Sequence, residues 1–290
     1  MYPPILNNKH DTLKLIIDKL GTAPNDFSDQ FNVIKERKKR GEQWLAAGVL
    51  LLILYKSEKK ASTEKETTGE FVFQLIKRSA LVPQGGDLSC PGGILDPTFD
   101  RMLSRIIRCG LPPALKGDAR RHASIRGNES FLHTSLFLAN AMRESWEEIR
   151  LNPFNVDFLG PLPCYNLTLF TKTIFPVVGL VKQDKPYHLN GEVDKIIEIP
   201  VASFFKDYNY AIYSLEASDT LNNAGERQWE FPCLLHRDTD GEVEILWGAT
   251  FNIIMSFLTI VFDLDFSLIK PTRVINRTLN ESYLTGNTQR

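Results

Sequence analysis

Apolar positions along the chain change period several times, and each change predicts an element. Leu13, Leu15, Ile16 and Leu20 keep a mixed helical spacing until Gly21 and Pro24 stop the run, so residues 1–43 read as an N-terminal helical extension. Residues 44–55 are apolar almost without interruption. At about 12 residues this run is too short for a membrane span, which takes about 20, and it reads as a buried strand. Residues 56–70 are charged and Thr-rich, and residues 71–77 resume a strand, so the two strands make a hairpin with a long loop. Short strand candidates follow between 156 and 201, among them 174–181 and 195–199, with Gly160, Pro161 and Pro163 breaking the first connection. Runs at 230–235 and 243–247 bracket the turn sequence Arg237-Asp238-Thr239-Asp240-Gly241, a second hairpin. Residues 251–262 are apolar for about three turns and read as a core-packing helix rather than a membrane segment. From residue 270 to 290 the chain is polar, as a peripheral tail would be.

One stretch near the middle carries chemistry: Arg143-Glu144-Ser145-Trp146-Glu147-Glu148-Ile149. On a helix, Glu144, Glu147 and Glu148 stand at i, i+3 and i+4 and share a face, while Leu138, Met142, Ser145 and Ile149 form a neighbouring stripe suited to packing on a sheet. Three adjacent carboxylates repel one another, and a divalent cation turns that repulsion into coordination; clustered oxygen ligands suit Mg²⁺ or Mn²⁺. Taken alone the triplet reads more simply as a solvated acidic face. The flanks change that, because Gln84-Gly85-Gly86-Asp87-Leu88-Ser89-Cys90-Pro91-Gly92-Gly93-Ile94-Leu95-Asp96 lies upstream.

A Pro-Gly-Gly turn, an acidic stretch and an Arg-Glu…Glu-Glu helix resemble the Nudix box. That pattern runs Gly, five residues, Glu, seven residues, Arg-Glu, a bulky residue, any residue, Glu-Glu, any residue, Gly; Gly93, Arg143, Glu144, Glu147 and Glu148 match it. Gly93 and Arg143 are 143 − 93 = 50 positions apart instead of fourteen, so the box holds a long insertion. Phe99 stands where the loop acid belongs, leaving Asp96 or Asp100 to substitute, and Arg150 replaces the closing Gly. Ser145 at the bulky position resembles the coenzyme A pyrophosphatase branch. So do Arg78-Ser79, Leu81, Gly86 and Pro91-Gly92-Gly93 before the box, although Val82 and Gln84 stand where that branch has Arg and His. Phe175-Pro176-Val177-Val178-Gly179, Glu192-Val193, Ile199-Pro200-Val201 and Ile245-Leu246-Trp247-Gly248-Ala249-Thr250 keep the branch's order.

The resemblance implies an α/β fold, a Nudix-like α/β/α sandwich with a central mixed sheet, over residues 44–269. It implies a hydrolase acting on a phosphoric anhydride, with Glu144, Glu147 and Glu148 on Mg²⁺ or Mn²⁺. Glu147, Glu148 and Arg143 would be catalytic, Arg143 by pairing with a loop carboxylate, and Glu192 is a further candidate base. Arg78, Ser79, Gly86, Gly92 and Gly93 would meet a small-molecule nucleoside diphosphate substrate, coenzyme A or a relative. Two alternatives stay open: another linked substrate such as ADP-ribose, NADH or a dinucleoside polyphosphate, or a binding module with the fold but without turnover. A homodimer is compatible with the resemblance.

Charge and composition refine this picture. The net charge of −1 gives no field to recruit nucleic acid or an anionic membrane. Cys90, Cys109, Cys164 and Cys233 form no CxxC pair and no secretory leader is visible, so a cytoplasmic protein with free thiols is expected. Five basic residues between 35 and 40 read as a solvated helix end. The insertion, about 101–138, carries Arg101, Arg105, Arg108, Lys116, Arg120, Arg121 and Arg126 against Asp118 and Glu129, a surplus of 7 − 2 = +5. Because its ends flank the box loop and helix, it reads as a lid or rim for an anionic substrate, with plain surface embellishment as the alternative. His122 and His133 lie in it without metal-ligand spacing.

Overall fold

A computed structural model describes residues 3–57, 69–167, 171–217 and 228–279. Residues 58–68 of the predicted loop and 280–290 of the predicted tail lie outside them. The apolar run became β1 (Leu45–Ser57), which pairs antiparallel with β2 (Gly69–Arg78). Its residues alternate between two faces: Leu50, Leu52 and Leu54 enter one buried cluster, Leu51 and Ile53 the other. A strand buried on both faces needs no polar side, which is why this stretch reads as continuous rather than alternating.

The remaining strands of the main sheet are β3 (Leu88–Ser89), β4 (Gly92–Ile94), β5 (Val156–Pro161), β6 (Tyr165–Leu167), β7 (Lys172–Val181) and β8 (Val193–Pro200). The order along the sheet is β3-β2-β1-β7-β5, with β4 on β1, β6 on β7 and β8 on β2. β1 and β7 run parallel and their neighbours antiparallel, so the sheet is mixed. A second sheet, β11 (Val243–Leu246), β10 (Gln228–Arg237), β9 (Tyr210–Ala217) and β12 (Val274–Leu279), is antiparallel except for β12 beside β9. The Asp238–Gly241 turn joins β10 to β11 as the hairpin reading requires.

Helices cover both faces of the main sheet. α1 (Lys9–Thr22) and α6 (Gly248–Phe262) bury Ile16, Leu20, Ile254, Phe257 and Leu258 on one side. α2 (Phe27–Lys39), α3 (Phe99–Arg108), α4 (Gly117–Ile125) and α5 (Asn128–Ile149) cover the other. There Phe137 of α5 stacks on Phe175 of β7 at 3.7 Å, and Phe27 of α2 meets both rings edge-on. The architecture is therefore an α/β/α sandwich around a mixed sheet.

The insertion is packed into this sandwich instead of hinging over the box. Ile107, Ala114, Leu115, Ala119 and Ala123 join the same buried cluster as α5. Arg126 donates to the Leu20 and Gly21 carbonyls that end α1, and Lys116 pairs with Asp157 of β5. Arg120 donates to the Arg108 carbonyl and lies 5.8 Å from the Phe131 ring, while Arg121 pairs with Asp118. Phe131 is about 20 Å from Glu144 along α5, at ~1.5 Å per residue. For α4 this favours the embellishment reading over the lid: burial of the small apolar residues holds α4 against α1 and β5, with Arg120 and Arg121 committed to structure or solvent, whereas α3 starts at the box loop.

Candidate active site

The box helix is longer than the motif. α5 begins at Asn128, so its first turns belong to the insertion and only its last two carry Arg143 to Ile149. Leu138, Met142, Ser145 and Ile149 are all buried against the sheet. Ser145 sits at 0 % exposure and donates to the Ala141 carbonyl at 2.7 Å, so a bulky side chain has no room at this position. The helix closes at Arg150, whose φ of 54° and ψ of 32° are left-handed, the conformation a closing glycine adopts without a Cβ penalty.

Asn140 fastens this helix to the box loop. It accepts from the Gly48 N–H at 2.6 Å and donates to the Ile94 carbonyl at 3.2 Å, joining α5, β1 and β4. Sequence reading passed it over, although a polar residue amid Leu136, Phe137, Leu138 and Met142 is the visible signal.

Gly92 and Gly93 lie directly on the helix carboxylates. The Gly92 N–H donates to Glu148 Oε2 at 3.0 Å. A Cβ on Gly93 would fall 2.4 Å from the Glu144 carboxyl carbon, and one on Gly92 would fall 2.3 Å from the Gly48 carbonyl oxygen. Only glycine lets the backbone come this close.

Of the two loop acids, Asp100 takes Arg143. The guanidinium reaches Asp100 Oδ1 at 2.8 Å and Oδ2 at 3.3 Å, and also donates to the Ile94 carbonyl at 3.2 Å. Asp96 instead accepts from the Thr98 and Phe99 N–H groups at the start of α3. Arg143 also contacts Glu144 at 2.8 Å and Glu147 at 3.2 Å. Burial works against its charge, but Asp100 and then Glu144 more than offset that, so Arg143 holds its proton more firmly than a free arginine.

The three helix carboxylates are not equivalent. Glu148 is buried; burial, opposed by the Gly92 N–H and reinforced by the charge of Glu144, pushes its pKa up to about 8. Glu144 is raised as well, by burial first, with Arg143 working against the rise. Glu147 is half-exposed and turned to Arg143. Among the described residues no three His, Cys, Asp or Glu side chains converge as they stand on one point. The donor chemistry of Glu144 and Glu148 nevertheless suits a hard divalent cation: two carboxylate groups close to one glycine turn, each destabilised as an anion.

The remaining predicted residues border this centre. Arg78 ends β2, donates to the Pro83 carbonyl and lends positive charge to Glu148. The Ser79 N–H donates to the Glu192 carbonyl, and the Glu192 charge also bears on Glu148. Gly86 has φ of +84° and its N–H returns to the Arg78 carbonyl, closing the turn between β2 and β3. Lys172, absent from the sequence reading, is partly buried at the start of β7 within reach of the Arg78 field. The two insertion histidines are elsewhere: His122 faces Asp18, and His133 meets Ser28 and the Phe31 ring. All four cysteines are free, and burial with the Glu148 charge pushes the Cys90 thiol up to about 12, so it is inert. Among the described residues no helix is long and apolar enough to cross a membrane.

No protein-family model matches the chain. Over 67 residues it is 42 % identical to the uncharacterised Nudix hydrolase NudL of Cronobacter sakazakii, covering 22 % of this chain and 34 % of that protein. Over 66 residues it is 36 % identical to NudL of Escherichia fergusonii, again covering 22 % and 34 %. The chain thus matches about a third of the length of these curated relatives. A solved Nudix hydrolase from Alicyclobacillus acidocaldarius aligns over 55 % of this chain and 79 % of its own at 14 % identity, with a TM-score of 0.34, too low to carry an argument. The chain is thus similar over a short stretch to two Nudix hydrolases, and the two halves of its split box, the Gly92-Gly93 turn and the end of α5, meet in space.

Proposed function

We propose that the chain is a metal-dependent pyrophosphohydrolase that splits the diphosphate of coenzyme A or a similar nucleoside diphosphate derivative. The observation that carries this reading is the Glu144–Glu148 pair seated on the Gly92-Gly93 turn. Burial makes both anions costly, and the Glu144 charge adds to the cost at Glu148, by more than Arg143 and the Gly92 N–H offset; a cation removes that cost.

Glu144 and Glu148 would hold Mg²⁺ or Mn²⁺, with Glu147 the third candidate. When bound, such a cation neutralises phosphate charge and lowers the pKa of bound water. Water adds to one phosphorus, the P–O bond to the bridging oxygen breaks, and the second phosphate departs with that oxygen. The proton of the water goes to a carboxylate oxygen, for which the exposed Glu147 and Glu192 are open. Arg143 acts as a positioning residue, tying the loop through Asp100 to the helix through Glu144 and Glu147. The preference for coenzyme A rests on the resemblance before the box and on Ser145.

Chromatographic detection of the two phosphomonoester products, with Mg²⁺ or Mn²⁺, across coenzyme A, ADP-ribose, NADH and dinucleoside polyphosphates tests this. Coenzyme A is expected to turn over fastest. Faster cleavage of another of these substrates removes the coenzyme A assignment, and no cleavage of any removes the enzyme reading.

A further inference from the structure

α3 carries three stripes where a helix packed on a sandwich needs two. Asp100, Leu103, Ser104 and Ile107, at i, i+3, i+4 and i+7, turn inward toward α5; Leu103 is partly buried and the other three fully so. Arg101, Arg105 and Arg108 form a second stripe at i, i+4 and i+7. Phe99, Met102 and Ile106, at i, i+3 and i+7, form a third, which is apolar and faces outward, with exposures of 44, 47 and 42 %. The helix closes in a Schellman turn: Gly110 has φ of +94°, its N–H meets the Ile107 carbonyl at 2.9 Å, and the Leu111 N–H meets the Ile106 carbonyl at 3.2 Å. That turn sets Leu111, 60 % exposed, beside Ile106 and extends the stripe. Single exposed apolar residues are ordinary, but four in one line form a patch that marks an interaction surface.

The arginines identify the partner. Among the described residues neither Arg101 nor Arg105 lies within ion-pairing distance of a carboxylate, whereas Lys116 and Arg121 of the same insertion are paired. Arg105 stands about 60° from Met102 around the helix axis, at ~100° per residue, so the basic stripe borders the apolar one. An apolar edge bordered by arginines suits an anionic surface, because the apolar side chains leave water while the guanidinium groups meet phosphates. The net charge of −1 does not oppose this: charges are screened over about 8–10 Å at 0.10–0.15 M salt, so a surface feels those within that range. A second copy of the chain fits poorly. A two-fold contact through this stripe brings the same arginines together, and four side chains fall short of the ~800 Å² per partner that a stable interface buries. A helical peptide is held in a groove, whose floor hides its side chains. Here they stand about half exposed along a ridge, which a flat bilayer accepts.

We propose that the outer face of α3, Phe99, Met102, Ile106 and Leu111 with Arg101 and Arg105, docks on an anionic lipid bilayer. The proposal stands apart from the pyrophosphohydrolase reading. Asp100 on the inner face of the same helix holds Arg143, and α3 is about 15 Å long at ~1.5 Å per residue, so docking brings the box loop within that distance of the headgroups.

Co-sedimentation with phosphatidylcholine vesicles containing about a quarter phosphatidylserine tests it, against vesicles of phosphatidylcholine alone. Binding to the first and not to the second is expected, with release as salt rises from about 0.1 to 1 M. Arg101→Gln with Arg105→Gln should weaken binding about thirtyfold, roughly fivefold for each cation. Met102→Gln with Ile106→Gln should weaken it by at least about tenfold, and since both side chains are exposed the unfolding midpoint should hold. A solvatochromic label on Cys109, the one exposed cysteine of the four, reads the contact without altering the stripe, and a blue shift with anionic vesicles is expected. No binding to anionic vesicles, equal binding to both kinds, or unchanged binding in either folded variant overturns the docking surface. So does a Cys109 label that stays in water while the protein sediments, and so does capture of polyglutamate in place of vesicles, which would make this a protein-docking site. Vesicle binding in a chain without turnover keeps the proposal and removes the enzyme reading; turnover without vesicle binding does the reverse.

Discussion

Arg143 Nε meets Asp100 Oδ1 at 2.8 Å, and the Asp100 carboxylate is wholly sealed from water. Asp100→Ala is therefore expected to leave a nearly buried guanidinium short of its main partner and to cost about 3–5 kcal/mol. A double-mutant cycle between Arg143→Ala and Asp100→Ala should show strong coupling in urea unfolding, and one with Asp96→Ala much less. Additive losses at Asp100 would mean the pair does not hold the loop to the helix.

Metal dependence should follow burial. Glu144→Gln and Glu148→Gln are each expected to lower Mg²⁺-dependent turnover by about 100-fold or more, since a bound cation is worth several kcal/mol in the transition state. Glu147→Gln reports whether that residue joins the metal in the working enzyme. Isothermal titration with Mn²⁺ checks this directly: weakened binding at Glu144 and Glu148 is expected, and unaltered affinity at both would refute the site.

The pH dependence of stability has a definite sign. Glu148 titrates at about 8 in the folded chain against 4.5 for an ordinary glutamate. Between those values the folded state holds more protons than the unfolded, so without metal stability falls as pH rises from about 4.5 to about 8 and then levels off. The loss is on the order of a few kcal/mol. Unfolding midpoints in chelator at pH 5 and pH 8.5 should show it, and Glu148→Gln should abolish it. Mg²⁺ should raise the midpoint more at the higher pH, where the carboxylate is free to bind. A Glu148→Gln variant with the parent's pH profile would contradict the assignment.

Arg150→Gly should raise stability. A residue with a Cβ in the left-handed region carries about 1 kcal/mol of strain, part of which glycine gives back through greater freedom in the unfolded chain. The Arg150 guanidinium lies 5.6 Å from the Trp146 ring, an exposed contact of small worth. A net gain of about 0.5 kcal/mol is expected, read as a higher unfolding midpoint; a lower midpoint would show that the Trp146 contact outweighs the strain.

The insertion should act on stability rather than on substrate affinity. Arg121→Glu removes one exposed ion pair and is expected to change little. Arg120→Glu breaks a hydrogen bond and a ring contact, with a loss of about 1 kcal/mol. Neither should move KM; a several-fold rise that fades with added salt would restore the lid reading.

Much of the sheet was legible because burial on both faces leaves an unbroken apolar run, as in residues 44–55, and turn chemistry marks hairpins, as at Asp238–Gly241. The box was legible from residue types alone, even across its insertion. Which loop acid pairs with Arg143 was not, since Asp96 and Asp100 differ only in which side of a helix start they face. The β12 pairing was hidden in a polar stretch because edge strands need little apolar content.

Gly93 and Glu144 touch although 144 − 93 = 51 positions separate them. Closing that loop carries about 1 kcal/mol more entropy cost than closing a contiguous box, and the cost must be met before the contact forms. Packing of α3 and α4 on α5 supplies the return. Residues of the insertion thus bear on when the carboxylates are assembled, and a weakened α4 is expected to show as slower recovery of metal binding on refolding. In this chain the candidate centre is a product of tertiary docking rather than of a contiguous local motif.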